Sequence, residues 1–163
     1  MKTKLIIIFV FISSFTLAQN GTKTIESTLN TLGKNEHASY FEVTKEMFKM
    51  LSESKNANPQ FKAYVSKLHQ LKLLQARGEN KNEMGIHFYT AFLQQTNLKD
   101  YSRLLTKKEG NDMLSFFKKE GKSENEFLLV STDMIIYITG ILELNSIGEF
   151  EQVMEIAGSA FDM

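Results

Sequence analysis

MIIYITGILEL, residues 134–144, is dense in β-branched and aromatic side chains and apolar at positions of both parities. A run of that kind reads as a central strand buried on both faces, because a half-exposed strand would alternate apolar with polar residues. Ser131-Thr132-Asp133 supplies a turn just before it. Working back from there, three shorter runs are separated by turn residues: Tyr101–Lys107, Met113–Lys119 and Phe127–Val130, with Gly110-Asn111 and Gly121-Lys122-Ser123 between them. Short links between successive strands permit hairpins, so the last four strands are expected to form an antiparallel meander. Lysines on the outer strands suit sheet edges, where charge discourages pairing with other chains.

Upstream of Tyr101 the apolar period is mostly helical. Asn58-Pro59 is the clearest local signal, since asparagine can cap a helix and proline fits its first position, where the missing N–H costs nothing. Phe61, Tyr64, Val65 and Leu68 form the stripe of that helix, and Leu71 and Leu73 then alternate with Lys72 in a strand running to Ala76. Before it, Tyr40–Val43 reads as a short strand and Thr44 opens a helix with Val43, Met47, Met50 and Leu51 on one face. Asn82–Thr96 reads as a third helix burying Met84, Phe88, Ala91 and Phe92. Ile25, Leu29 and Leu32 have the spacing of a short helix within an otherwise polar lead. A closing helix is expected over Ser146–Ala157, with Ser146 and Glu149 at capping-box spacing and Phe150, Val153, Met154 and Ala157 on its apolar stripe. The fold expected is α+β: a largely antiparallel sheet with helices packed on one face.

The 163 residues, 42% of them hydrophobic with one proline and nine glycines, suffice for a single domain with its own core. Residues 1–18 read as a signal peptide: Lys2 and Lys4 precede the apolar run Leu5–Phe15, and Thr16-Leu17-Ala18 places small residues before a cut at Gln19. That run is short of the roughly 20 apolar residues that span a bilayer, and no later stretch of the mature chain is long and apolar enough to cross one. Residues 19–34 are expected to be a flexible mature terminus and 35–163 the domain. A periplasmic or secreted location follows from the signal. With no cysteine the chain has no disulfide, no thiol chemistry and no lipid anchor attached through cysteine. Removing Lys2 and Lys4 from the 19 basic residues leaves 17 against 19 acidic ones, a balance of −2 that argues against a nucleic-acid partner.

The opening Phe41-Glu42-Val43-Thr44-Lys45-Glu46-Met47, the segment Leu68–Ala76, the Tyr101–Lys119 hairpin and the run Ile135–Gly140 leading to Ile147-Gly148-Glu149-Phe150 together resemble the exported bacterial family called domain-of-unknown-function 4252. The resemblance covers Thr31 to Ala157. It implies export and this order of elements, and it transfers no activity and no catalytic residues. Many members resemble lipoproteins, a pattern from which this cysteine-free chain departs.

No chemistry assembles from the residues. His37, His69 and His87 fall in different elements without a second ligand at zinc-site spacing. Glu109, Asp112, Glu120, Glu124 and Glu126 gather near two turns but lack the ligand spacing of a calcium loop. Ser102, Ser115 and Ser131 have no nucleophile-elbow context, and no glycine-rich loop joins a strand to a helix. The chain is therefore expected not to be an enzyme, with no catalytic residue, no cofactor and no metal. Two roles remain: a module that offers a sheet face or edge to an envelope protein, and a binder of small apolar ligands in a helix–sheet pocket lined by Met47, Phe88, Phe92 and Tyr137.

Overall fold

The computed structural model describes residues 21–55, 58–144 and 150. The elements run α1 (Ile25–Leu32), β1 (Ala38–Val43), α2 (Lys45–Glu53), α3 (Pro59–Val65), β2 (Leu68–Ala76), α4 (Lys81–Gln95), β3 (Ser102–Glu109), β4 (Asp112–Lys119), β5 (Asn125–Ser131) and β6 (Met134–Gly140). One six-stranded sheet has the order β1-β2-β6-β5-β4-β3, so β6 is an inner strand and every residue from Ile135 to Gly140 is buried. All five pairings are antiparallel. The α+β class, the antiparallel sheet and the β3–β6 meander are as the sequence implies.

Helices cover both faces of this sheet, not one. Successive residues of a strand point to opposite faces, and β6 divides accordingly. Ile136 and Ile138 pack with Phe48 of α2 and Phe61 and Val65 of α3, whereas Ile135 and Tyr137 pack with Leu29 of α1 and Phe88 and Phe92 of α4. Phe116 and Phe117 of β4 split between the same two clusters. A strand apolar on both faces needs cover on both, and one layer of helices would leave Ile135, Leu128 and Phe117 in water.

The N-terminal lead is part of the folded unit from Gly21 onward, contrary to the expectation of a flexible terminus over 19–34. Thr24 caps α1 by accepting a bond from the Ser27 N–H at 3.2 Å. Ile25, Leu29 and Leu32 are buried, in the spacing that suggested a helix. Lys23 is stitched to the end of α4 by bonds from its N–H to the Gln95 carbonyl (3.1 Å) and from the Asn97 N–H to its own carbonyl (2.9 Å). Inside, the Thr96 hydroxyl donates to that of Thr28 at 3.0 Å.

α3 starts as its sequence dictates, with Asn58 Oδ1 accepting from the Phe61 N–H at 2.7 Å and Pro59 in the first turn. α2 is rotated from the expected face. Phe48 is its buried anchor, and Met47 and Met50 are 45% and 66% exposed. An aromatic ring buries more apolar area than a thioether chain and so sets the phase of the helix. The signal residues 1–18 and the closing helix expected over Ser146–Ala157 lie outside the described residues, apart from Phe150. That side chain is 1% exposed, and its ring meets Phe116 edge-on at 5.2 Å.

Candidate functional site

The four side chains expected to line a pocket do not come together. Phe88, Phe92 and Tyr137 share the α1/α4 face, where they are 3%, 0% and 6% exposed among packed neighbours. Met47 lies on α2, whose anchor Phe48 belongs to the opposite face, and is open to solvent.

The hydroxyl of Tyr137 also joins a polar cluster at one end of the α1/α4 face. Glu126 of β5 sits opposite Lys119 of β4 and Thr139 of β6 in the ladder. Its Oε1 accepts from Lys119 Nζ at 2.7 Å. Its Oε2 accepts from the Tyr137 hydroxyl at 2.6 Å and from the hydroxyl of Tyr101, in the link between α4 and β3. The Lys119 ammonium also lies 5.3 Å from the centre of the Tyr101 ring. A cavity of about 330 Å3 reaches these groups, bounded on its other side by residues 22–26 at the start of α1.

Burial pushes the Glu126 carboxyl up, but the bonds from Lys119, Tyr101 and Tyr137 outweigh it and hold the group below its ordinary range. Burial and the bond to Glu126 push both phenols far up. At neutral pH Glu126 is therefore ionised and both phenols keep their protons. A carboxylate with a lowered pKa and both oxygens occupied is a poor general base. Its geometry suits bracing: Glu126 ties the α4–β3 link to β5 and β6 and so fixes where β3 begins.

The acid sensitivity that follows has a defined sign. A carboxyl whose folded-state pKa lies below its unfolded value adds stability above the unfolded pKa, and that stability is lost as pH falls through the folded pKa. Urea midpoints measured from neutrality down to about pH 3 are expected to fall more steeply for the parent than for Glu126→Gln. Parallel acid limbs would show that Glu126 gains nothing from its three donors.

The sequence treats Glu126 as one of five acids near two solvated turns. Structure separates them: Glu109 pairs with Lys107 and Glu120 with Lys118, each at 2.8 Å, and Glu124 takes His69 Nδ1 at 2.8 Å. Among the described residues no group of three or more histidine, aspartate and glutamate side chains is placed to hold a metal ion. His37 is half exposed beside Glu36, and His87 rides α4 next to Phe88. A signal for Glu126 does exist in the sequence, because it is in phase with Leu128 and Val130, whose side chains are buried on the α1/α4 face.

A second cluster lies further along that face. Lys72, 4% exposed, reaches Glu26 of α1 and Glu42 of β1 at 3.5 Å each. Burial alone would lower its pKa, but Tyr40, Glu26 and Glu42 outweigh it and hold Lys72 above its ordinary value. Glu42 also accepts from Gln70 at 3.0 Å, and the Tyr40 hydroxyl donates to Asn30 at 2.9 Å. This cluster clamps α1 to the sheet.

β3 is the least covered strand. All eight of its residues are exposed, among the described residues it pairs with β4 alone, and Leu104 and Leu105 stand 47% and 38% exposed at a register shift. The opposite edge, β1, is buried at Ala38 and Val43. No described helix is long and apolar enough to cross a membrane.

No curated protein and no solved structure matches the chain. A family model described as Domain of unknown function (DUF4252) matches residues 31–150, from the last turn of α1 through every strand of the sheet to Phe150, and the chain belongs to that family.

Proposed function

We propose that the protein is an exported, non-catalytic protein-binding module of the cell envelope that takes an extended segment of its partner along the open edge of β3. The observation that carries this reading is the exposure of all eight β3 residues on an edge that, among the described residues, no strand covers. Such an edge presents a row of main-chain donors and acceptors, the template on which a partner strand adds. Lys107 and Lys108 guard the far half against indiscriminate pairing, while Leu104 and Leu105 leave the near half apolar. The Glu126 brace supports the reading by fixing the start of the strand. Export rests on the signal pattern of residues 1–18, and the lack of cysteine leaves no lipid anchor through that residue. The small-ligand alternative has less behind it, since Phe88 and Phe92 are spent on core packing.

A photo-cross-linking residue placed at Leu104 or Leu105 in the host is expected to trap one protein, with the link mapping to an extended segment of it. The same residue at Ser39 on the β1 edge should trap nothing specific. Equal labelling from both edges, or none from β3, would remove the edge reading. Amino-terminal sequencing of protein from the periplasm or medium is expected to start at Gln19. Retention inside the cell with Met1 in place would remove export.

A further inference from the structure

Beside the start of β3 a cavity of about 320 Å3 opens between the end of α4 and the β3–β4 pair. Leu93, Leu98 and the Phe117 ring give it an apolar body, and Lys99 and Arg103 stand at it with no carboxylate among the described residues of the lining. The Arg103 guanidinium lies 5.2 Å from the centre of the Phe117 ring, which orients the planar group. Among the described residues neither Arg103 nor Lys99 is held in an ion pair. A guanidinium fork oriented on a ring and not neutralised by a neighbour suits the two oxygens of a carboxylate. Arg103 is itself a β3 residue opposite Phe117 in the ladder, so a strand added along β3 passes the cavity mouth.

Resting on the edge reading of β3, we infer that this cavity is the specificity pocket of that edge and takes an apolar side chain and a carboxylate side chain from one face of the incoming strand. On an extended chain those two residues are two positions apart, because residues i and i+2 share a face. The partner class is thus an extended segment with an aliphatic residue and an aspartate or glutamate at that spacing.

Labelled peptides of roughly eight residues, a typical strand length, test this by fluorescence anisotropy with the mature protein. Their valine–threonine background carries one Leu-Thr-Asp triplet or one Leu-Thr-Lys triplet. The aspartate peptide is expected to bind on the order of tenfold more tightly, the worth of a charge-assisted bond. Arg103→Gln should abolish that preference while leaving the lysine peptide's affinity as it was; a thermal midpoint equal to the parent's confirms that the variant is folded. Equal affinity of the two peptides for the parent overturns the pocket and leaves the edge reading standing. Binding of neither peptide overturns both. Octanoate separates the sources: Arg103-dependent binding of that free acid, with no peptide bound, would assign the cavity to a small acid and overturn the strand.

Discussion

Gly85→Ala is expected to destabilise the protein by about 3 kcal/mol, although alanine is the better helix former. In a solvent-exposed helix the exchange would favour folding by roughly 1 kcal/mol. Gly85 is instead a buried position of α4, and a Cβ there would lie 1.8 Å from the carbonyl oxygen of Thr132. That oxygen cannot swing aside cheaply. Thr132 sits in the turn joining β5 to β6, its N–H donates to the Met113 carbonyl at 3.1 Å, and its hydroxyl accepts from the Met113 N–H at 3.4 Å. Overpacking costs about 1–3 kcal/mol and more when backbone must move, so the clash outweighs the propensity gain. Chemical denaturation of the two proteins decides the matter. A midpoint equal to or above the parent's would mean that α4 does not lie against the β5–β6 turn.

The same contact shows where sequence reasoning stops. α4 is legible from the spacing of Phe88, Ala91 and Phe92, but Gly85 falls in that pattern as a mild weakness and not as the point where a helix touches a turn 47 positions later. β6 is legible because β-branched density and two-faced apolarity are local properties. Its consequence, that helices must lie on both sides, is equally present in the sequence, yet it depends on knowing that Leu74, Leu128 and Phe117 share a face across four strands. Lys72 makes the limit concrete. As the polar residue between Leu71 and Leu73 it marks an alternating strand and suggests a wet face. In the structure that face is covered by α1 and α4, and Lys72 is buried because Glu26 and Glu42 arrive from two other elements to pair with it. On α2 the local pattern admits two phases, one through Met47 and Met50 and one through Phe48; only the tertiary contact selects the second. The Glu126 cluster is hidden for a related reason, since Tyr101 and Tyr137 lie 25 and 11 positions away and meet through strand register.

Phe150→Ala is expected to lower stability by about 4 kcal/mol, the middle of the range for emptying a buried phenylalanine site. Phe150 is the last residue of the family match, and its ring is buried in the core of the α2/α3 face. It meets Phe116 edge-on, with ring planes at 67°, and both side chains are 1% exposed. An edge-to-face pair adds about 0.5–1.5 kcal/mol to the burial of its members, so the cycle of Phe116→Ala, Phe150→Ala and the double variant should show a coupling of that size. Two mechanisms predict different results here. If Phe150 fills a site that stays open when it is cut back, the loss approaches the full cavity cost and the coupling is positive. If the neighbouring core of Phe116, Phe127 and Leu129 relaxes into the space, the loss falls toward the transfer term alone, about 1.5–3 kcal/mol for an apolar side chain of this kind. An unchanged midpoint fits neither, and would mean that the β4–β5 part of this face is closed without Phe150. Because β4 carries β3 on its other side, a β4 loosened by Phe150→Ala should also weaken peptide capture at the β3 edge, while a merely local cavity should leave capture as it was.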